Sequence, residues 1–277
     1  MTYDTYIHSG WNTGRLETAE YAAGTPILTP TLAAQRVLHQ KVRVVGDTGG
    51  LLHVAGDLIV VDQDYSVAWR SPEDIFVATI TTSTYEAKSA VSTATEAQLR
   101  AAGDDYPQWV RDRYLALPSR VPARVLALAR SLTATEPTPY DRARAIEAYL
   151  RSFPYSLDVP LPPTGRDVVD YFLFDLREGY CDYYATAMVV LARAAGLPAR
   201  MAVGYATGYY DPVRAEYVVT EASAHAWPEI YFPGYGWIEF EPTAGFPSIE
   251  RIAETTDQEE IRPMGVPRPA ATWQSRL

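Results

Sequence analysis

The segment from Cys181 to Ala195 constrains the fold more than any other stretch, because the sequence marks both of its ends. Alanine and larger apolar residues recur along it at helical spacing, so at least one face is predicted to be buried. Gly196 and Pro198 follow it, as a C-cap glycine and a later proline should. The sequence therefore predicts a buried helix that begins at Cys181.

Cys181 is the single cysteine among 277 residues, and its position at a helix start suggests a chemical role. Unpaired backbone N–H groups and the helix dipole stabilise an anion there, so a thiolate is favoured over a thiol. A thiolate that forms near neutral pH is a nucleophile. The alternative is a small buried hydrophobic side chain, which is the commoner role of a lone cysteine.

The sequence pattern changes after this helix from a period of 3.6 to a period of 2, which is typical of strands. Four short segments share the new pattern: residues 199–205, 216–220, 224–231 and 237–240. An antiparallel meander is the natural arrangement for them. Residues upstream of Cys181, from about Thr95, are rich in helix formers. We therefore predict an α+β fold in which a helical layer packs on a short antiparallel sheet.

The first third of the chain has a different character. Residues 40–92 contain β-branched runs that Gly and Asp interrupt, which predicts a small antiparallel β unit. The residues before it are interpreted as an irregular lead-in with a short helix near Leu32–His39. The last residues are rich in Pro and charge and indicate a tail or linker. The predicted division is a β unit with its lead-in, a core and a tail: residues 1–95, 96–246 and 247–277.

Composition excludes several classes of function. The net charge is -10 and no basic stripe is present, so nucleic acid and anionic membrane surfaces are not expected partners. One cysteine cannot form an internal disulfide or a cysteine-based zinc site, and no metal or other cofactor is expected. The sequence has no uninterrupted apolar stretch of membrane-spanning length and no signal-peptide pattern at its start. We expect either a cytoplasmic protein or the soluble part of a longer one.

Two further residues complete a chemical constellation around the cysteine. His225 lies in the third strand candidate and Glu241 at the end of the fourth, and a tight turn joins these strands. The two side chains are therefore predicted to be near neighbours across the ladder. A thiolate needs an imidazole as its proton partner, and the imidazole needs an acceptor that fixes its tautomer. Cys181, His225 and Glu241 supply these three groups and form a predicted catalytic triad.

These segments resemble the transglutaminase core, in the family's order and spacing over roughly residues 120–246. The motifs are Gly179-Tyr180-Cys181, Gly196-Leu197-Pro198-Ala199-Arg200, His225-Ala226-Trp227, and Gly236-Trp237 to Pro242-Thr243. The resemblance implies a papain-like core, with Cys181 as the nucleophile and His225 as general base and acid. The third residue is usually Asp in this family. Glu241 stands there and can accept the same hydrogen bond with one more methylene of reach.

A narrower resemblance concerns the stretches at residues 137–155 and 167–174. They are similar to the extracytoplasmic domain of bacterial membrane-embedded transglutaminase-like proteins. This implies a location on the extracytoplasmic face of a bacterial membrane, as part of a longer protein. Any attachment to the membrane would then come from flanking segments that this chain does not contain.

The resemblance implies cysteine-dependent acyl transfer on protein or peptide amides through a thioester. An amine resolves the thioester in a transglutaminase, and water resolves it in a protease or amidase. The competing class is a non-catalytic binding or sensing module that retains the fold. Tyr180, Tyr183 and Trp227 are candidate substrate-binding residues beside the predicted triad. Half-buried packing is the alternative role for such aromatic side chains.

Overall fold

The computed structural model describes residues 1–27 and 32–252. Along the chain, one group of strands precedes the helices and a second group follows them. The first group is β1 Thr2–Tyr3, β2 Thr5–Tyr6, β3 Trp11–Asn12, β4 Glu17–Tyr21, β5 Gln35–Arg43, β6 Asp57–Val61, β7 Tyr65–Ser71, β8 Asp74–Ile80 and β9 Thr84–Ser92. The helices are α1 Glu96–Ala101, α2 Gln108–Tyr114, α3 Ala123–Thr133, α4 Pro139–Leu150, α5 Val168–Tyr171 and α6 Cys181–Ala194, with a π-helical turn at Phe172–Leu176. The last strands are β10 Ala199–Tyr205, β11 Tyr209–Asp211, β12 Glu216–Val218, β13 Ala224–Phe232 and β14 Gly236–Glu239. This arrangement confirms the predicted α+β class.

Helix α6 lies at the centre of the larger hydrophobic core. Every residue from Tyr183 to Arg193 is buried, so the helix is enclosed on all faces and not on one face alone. It contacts strands β10 and β13 of a four-stranded antiparallel sheet, whose order is β1-β10-β13-β14. It also contacts the helices α3, α4 and α5. The helical layer and the sheet therefore meet across α6, and the start of this helix lies where they join.

The helix starts follow the local signals in the sequence. Thr138 caps α4, and its hydroxyl accepts a hydrogen bond from the Asp141 backbone N–H, with Pro139 in the first turn. Asp167 caps α5 in the same way through the Asp170 N–H. These caps satisfy backbone donors that have no partner inside a helix. They fix where α4 and α5 begin. The cap of α4 thereby determines which of its side chains face the end of the sheet.

The lead-in is more ordered than predicted, and its first residues belong to the core. Strand β1 pairs with β10, and the Trp11 indole donates to the Thr186 hydroxyl at 2.9 Å. The buried guanidinium of Arg193 donates to the Asp4 backbone carbonyl at 2.8 Å. These strands are only two residues long, so they carry no periodic signal. Their order comes from partners almost two hundred residues away in the sequence.

The predicted helix near Leu32–His39 is wrong. Gln35–Arg43 forms strand β5, which pairs with β9 along nine positions. Pairing with a long neighbouring strand outweighs the local helix preference of so short a segment. The β unit extends beyond the predicted residues 40–92. It consists of two three-stranded sheets, with the orders β4-β7-β8 and β5-β9-β6, and β4 lies in the predicted irregular lead-in. They enclose a second, smaller hydrophobic core.

A buried ionic cluster joins this β unit to the helical segment. The Asp74 carboxylate accepts hydrogen bonds from Arg70 at 2.7 and 3.0 Å and from the Tyr114 hydroxyl at 2.7 Å. Arg113 donates to the same carboxylate. The side chains of Arg70 and Asp74 are inaccessible to solvent. Their charges are therefore compensated by each other and by α2.

The end of the chain requires one adjustment to the predicted boundaries. Residues just after 247 still contact the core, since the Ile252 carbonyl accepts from the Glu96 N–H at 3.0 Å. Residues 253–277, most of the predicted tail, lie outside the described residues. In the part of the chain that the structure describes, each helix is too short or too polar to cross a bilayer.

Candidate active site

Cys181 occupies the first position of α6, as the sequence predicts. Tyr180 precedes it in an extended conformation, so the chain enters the helix through a sharp change of direction. Gly179 lies against aromatic rings: a Cβ there would come within 3.1 Å of the Tyr183 ring and 3.3 Å of the Phe172 ring. The loop before the cysteine therefore requires glycine for space. The thiol is partly exposed and donates weakly to Asp182 Oδ1 at 3.8 Å.

His225 and Glu241 are in direct contact. The ring nitrogen Nε2 of His225 lies 2.6 Å from Glu241 Oε2, and both side chains are buried. The second oxygen, Oε1, accepts from the Thr243 backbone N–H at 2.9 Å. Glu241 lies two residues beyond the end of β14 and not on the strand itself. The contact therefore depends on a loop that follows the sheet, and not on direct pairing across the ladder.

The other ring nitrogen of His225, Nδ1, is buried and has no hydrogen-bond partner among the described residues. Because Nε2 contacts Glu241, Nδ1 is the ring nitrogen that is available to interact with Cys181. Burial lowers the pKa of His225, but the hydrogen bond with Glu241, the proximity of Cys181 and the charges of both raise it to about 9. The thiol makes no well-aligned hydrogen bond with the ring, and a longer contact is common in a free enzyme. The raised pKa favours the imidazolium form of His225 near neutral pH.

Two aromatic rings stack on the imidazole. Phe246 lies 3.9 Å away between ring centroids with an interplanar angle of 23°, and Trp227 lies 6.1 Å away at 20°. The face of an aromatic ring attracts a cation, so both rings suit a protonated imidazole. Sequence reasoning missed Phe246. Its only signal was an aromatic residue shortly after the Pro242-Thr243 motif.

The three substrate-binding candidates lie in different surroundings. Tyr183 is buried and stacks on Phe172 at 5.5 Å, so little of its ring is accessible. Tyr180 is half-buried and meets Tyr183 edge to face at 5.1 Å. Trp227 is also half-buried, and its indole donates to Glu229 Oε1 at 3.3 Å. Of the three, Tyr180 and Trp227 therefore present surface beside the thiol and the imidazole.

Tyr155 is a further residue near the thiol that sequence reasoning missed. Its backbone bridges to Gly179, and the neighbouring Ser156 N–H donates to the Gly179 carbonyl at 2.8 Å. Burial and the electrostatic interaction with Cys181 raise the pKa of Tyr155. Within residues 1–27 and 32–252, no three His, Cys, Asp or Glu side chains converge as a metal site.

The chain is similar to a known family over this region. Residues 126–242 match the Transglutaminase-like superfamily. The fold is similar to the crystal structure of the periplasmic domain of TgpA from Pseudomonas aeruginosa, bound to ethylmercury. The TM-score is 0.63 and the identity 26%, over 87% of this chain and 81% of that one. Over residues 126–242, the chain is therefore similar to transglutaminase-like domains.

Two curated relatives are similar to part of the chain. The chain is 46% identical over 142 residues to the uncharacterized protein YebA of Bacillus subtilis (strain 168), which is 49% of this chain and 19% of that protein. It is 37% identical over 168 residues to a protein-glutamine gamma-glutamyltransferase of Pseudomonas aeruginosa, which is 61% of this chain and 25% of that protein. The matched regions thus span a quarter or less of the length of these relatives.

Proposed function

We propose that this domain transfers the acyl group of a protein-bound or peptide-bound glutamine through a thioester on Cys181. The observation that carries the proposal is the 2.6 Å contact between His225 and Glu241, beside a cysteine at the start of a buried helix. The name of the Pseudomonas aeruginosa gamma-glutamyltransferase supports glutamine as the acyl donor. The Transglutaminase-like superfamily match supports the reaction class.

The first half of the reaction starts from an ion pair in which the Cys181 proton already lies on Nδ1 of His225, and the Glu241 carboxylate compensates the imidazolium charge. The thiolate sulfur attacks the carboxamide carbon, and the C=O electrons move to the oxygen. The backbone N–H of Cys181 at the helix start can donate to this oxyanion. The imidazolium then protonates the departing nitrogen, the C–N bond breaks and ammonia leaves. The product is a thioester between Sγ and the acyl group.

In the second half, a primary amine attacks the thioester carbon while His225 takes a proton from the amine. The new amide bond forms, the C–S bond breaks and the Cys181 thiolate returns. A water molecule at the same place would give the free acid. His225 must therefore act as an acid and then as a base. The raised pKa of about 9 keeps the ring protonated at the start, as the first half requires.

We further propose that Tyr180 and Trp227 flank the approach of the substrate, since both are half-buried beside the reacting groups. The natural location of the domain is proposed to be the extracytoplasmic face of a bacterial membrane, within a longer protein. The similarity to a periplasmic domain supports this location. Protease accessibility of the native full-length protein in intact spheroplasts tests it: cleavage is expected there, and protection contradicts it.

The reaction is tested with glutamine-containing peptides, with and without a primary amine. Mass spectrometry of the peptide and a measurement of released ammonia give the product. The expected result is an amine-dependent adduct that Cys181→Ser and His225→Gln abolish. A free acid as the sole product, even with excess amine, identifies an amidase, and peptide-bond cleavage identifies a protease. No product, together with a thiol that iodoacetamide does not alkylate near neutral pH, indicates a non-catalytic module.

A further inference from the structure

Helix α4 holds both backbone polar groups of Glu241. The Glu241 N–H donates to Glu147 Oε1 at 2.9 Å, and Nη1 of Arg151 donates to the Glu241 carbonyl at 2.7 Å. Glu147 and Arg151 are four residues apart, so they lie on the same face of the helix and its C-terminal cap. One helical turn therefore fixes the position and the orientation of the backbone that carries the carboxylate.

Arg151 also holds the residues after Glu241. Nη1 donates to the Thr243 carbonyl at 3.1 Å, and Nη2 donates to the Phe246 carbonyl at 2.8 Å. This loop lies beyond β14 and has no ladder partner to order it. A planar guanidinium offers several donors in a fixed geometry, which suits three carbonyls at once. The same side chain therefore places the carboxylate and the ring that stacks on His225.

Glu147 is an unusual residue for its place in the fold. It is only 1% exposed, and most of the other buried residues of α4 are apolar. Burial raises the pKa of its carboxyl. Hydrogen bonding from the Glu241 N–H and the charges of Arg144, Arg251 and Arg151 oppose this effect. An apolar residue would avoid the cost of burying a carboxylate. An apolar residue could make neither the ion pair of Glu147 with Arg144 nor the contact with Glu241, and of these two contacts the second reaches the triad.

We infer that Glu147 and Arg151 are positioning residues for the proposed reaction, and that they act on it through Glu241. The inference rests on the proposed function. The contact that they maintain is sensitive to small movements: a shift of about 1 Å would stretch the 2.6 Å contact beyond hydrogen-bond length. Misplacement on that scale costs up to about 100-fold in rate.

The first test compares Arg151→Met with Arg142→Met. Arg142 is a matched control on the same helix, because its guanidinium also donates to a backbone carbonyl, that of Ala195 at 3.2 Å. We expect Arg151→Met to lower kcat about 10- to 100-fold with little change in KM. Arg142→Met should retain the kcat of the parent protein. Arg151→Lys keeps the positive charge but not the several donors of the planar guanidinium. Its kcat should lie between the values for Arg151→Met and Arg142→Met. Thermal melting identifies variants that fail to fold.

The second test separates positioning from a general loss of structure. Combining Arg151→Met with Glu241→Ala should cost far less than the product of the two single losses, because the arginine acts mainly through that carboxylate. Glu147→Gln keeps an acceptor for the Glu241 N–H and should behave like the parent, whereas Glu147→Met should not. Losses that multiply in the double variant would overturn the inference. So would a folded Arg151→Met with parental kcat.

A third readout does not require turnover. The groups that face the imidazole are Cys181, Asp182 and Glu241, so the pH at which His225 titrates reports the carboxylate contact directly. Arg151→Met and Glu147→Met should lower that pH, and Arg142→Met should leave it unchanged. If the parent protein transfers no acyl group, the proposed function fails while this titration still decides the positioning. An unchanged titration in both Met variants would overturn it.

Discussion

Glu241→Gln should lower the pKa of His225, because the amide keeps an acceptor but loses the charge. Burial lowers the pKa of this ring, and contacts with Cys181 and Glu241 raise it from 6.5 to about 9. If the two partners share this rise equally, each accounts for at least one pH unit, or about 1.4 kcal/mol. An upper bound is about 4 kcal/mol, for two charges about 4 Å apart near a protein surface. We therefore expect the pKa of His225 to fall by about one to three units.

The assay is an NMR titration of the histidine ring protons. The chain has four histidines, so the resonances can be resolved, and His225→Gln assigns the one of interest. Cys181→Ser measures the share of the thiol in the same way. The rise in pKa also makes the free energy of unfolding depend on pH. The stabilisation is complete below the unfolded pKa of about 6.5 and is lost as the pH rises through about 9.

The stability difference between parent and Glu241→Gln should therefore be largest below pH 6.5 and should shrink as the pH rises through about 9. Urea denaturation at several pH values measures it. The reasoning is refuted if His225 titrates at the same pH in Glu241→Gln as in the parent. In that case Glu241 is not the charge partner of the ring. Glu239 and Glu229 would be the next carboxylates to substitute.

Three other changes probe separate parts of the site. Gly179→Ala places a Cβ 3.1 Å from the Tyr183 ring. We therefore expect the free energy of unfolding in urea to fall by about 1–3 kcal/mol and the thiol to be alkylated more slowly. Parental values would show that the loop can move. Asp74→Asn leaves the buried Arg70 without its countercharge and should cost about 3–5 kcal/mol, while thiol alkylation in the folded protein stays parental. Slower alkylation would instead show that the β unit affects the reactivity of the Cys181 thiol. Phe246→Ala removes a stacked ring worth about 1 kcal/mol and should lower kcat about fivefold, and an unchanged kcat would leave that ring a packing role only.

The sequence predicted the parts of the fold that depend on neighbours along the chain. The start of α6 at Cys181 and the caps at Thr138 and Asp167 are set by local hydrogen bonds and by residues within one turn. Such interactions require particular residue types at nearby positions, so they can be recognised in the sequence. The change to strands after Gly196 is local in the same sense. These signals were sufficient to place the thiol at a helix start.

The remaining parts depend on contacts between distant residues. Strand β1 is ordered by β10, and the Trp11 indole meets Thr186 across 175 positions. The contact between Arg151 and Glu241 spans 90 positions. A single arginine or tryptophan carries no signal that tells which distant carbonyl or hydroxyl it will meet. For the same reason, no local signal in the sequence links Phe246 to His225.

The hydrogen bonds from α4 also change what is expected of Glu241→Asp. The family usually has Asp here, so the sequence alone predicts that Asp retains activity if the strand can shift. Glu241 is not on a strand, however, and Glu147 and Arg151 fix its backbone on both sides. Removing one methylene withdraws the carboxylate by about 1.5 Å, which takes the 2.6 Å contact beyond hydrogen-bond length. Glu241→Asp should therefore lose nearly as much kcat as Glu241→Ala. Adding Arg151→Met should recover part of that loss, because it frees the backbone to approach His225. An Asp variant as active as the parent would show that the loop moves despite these contacts.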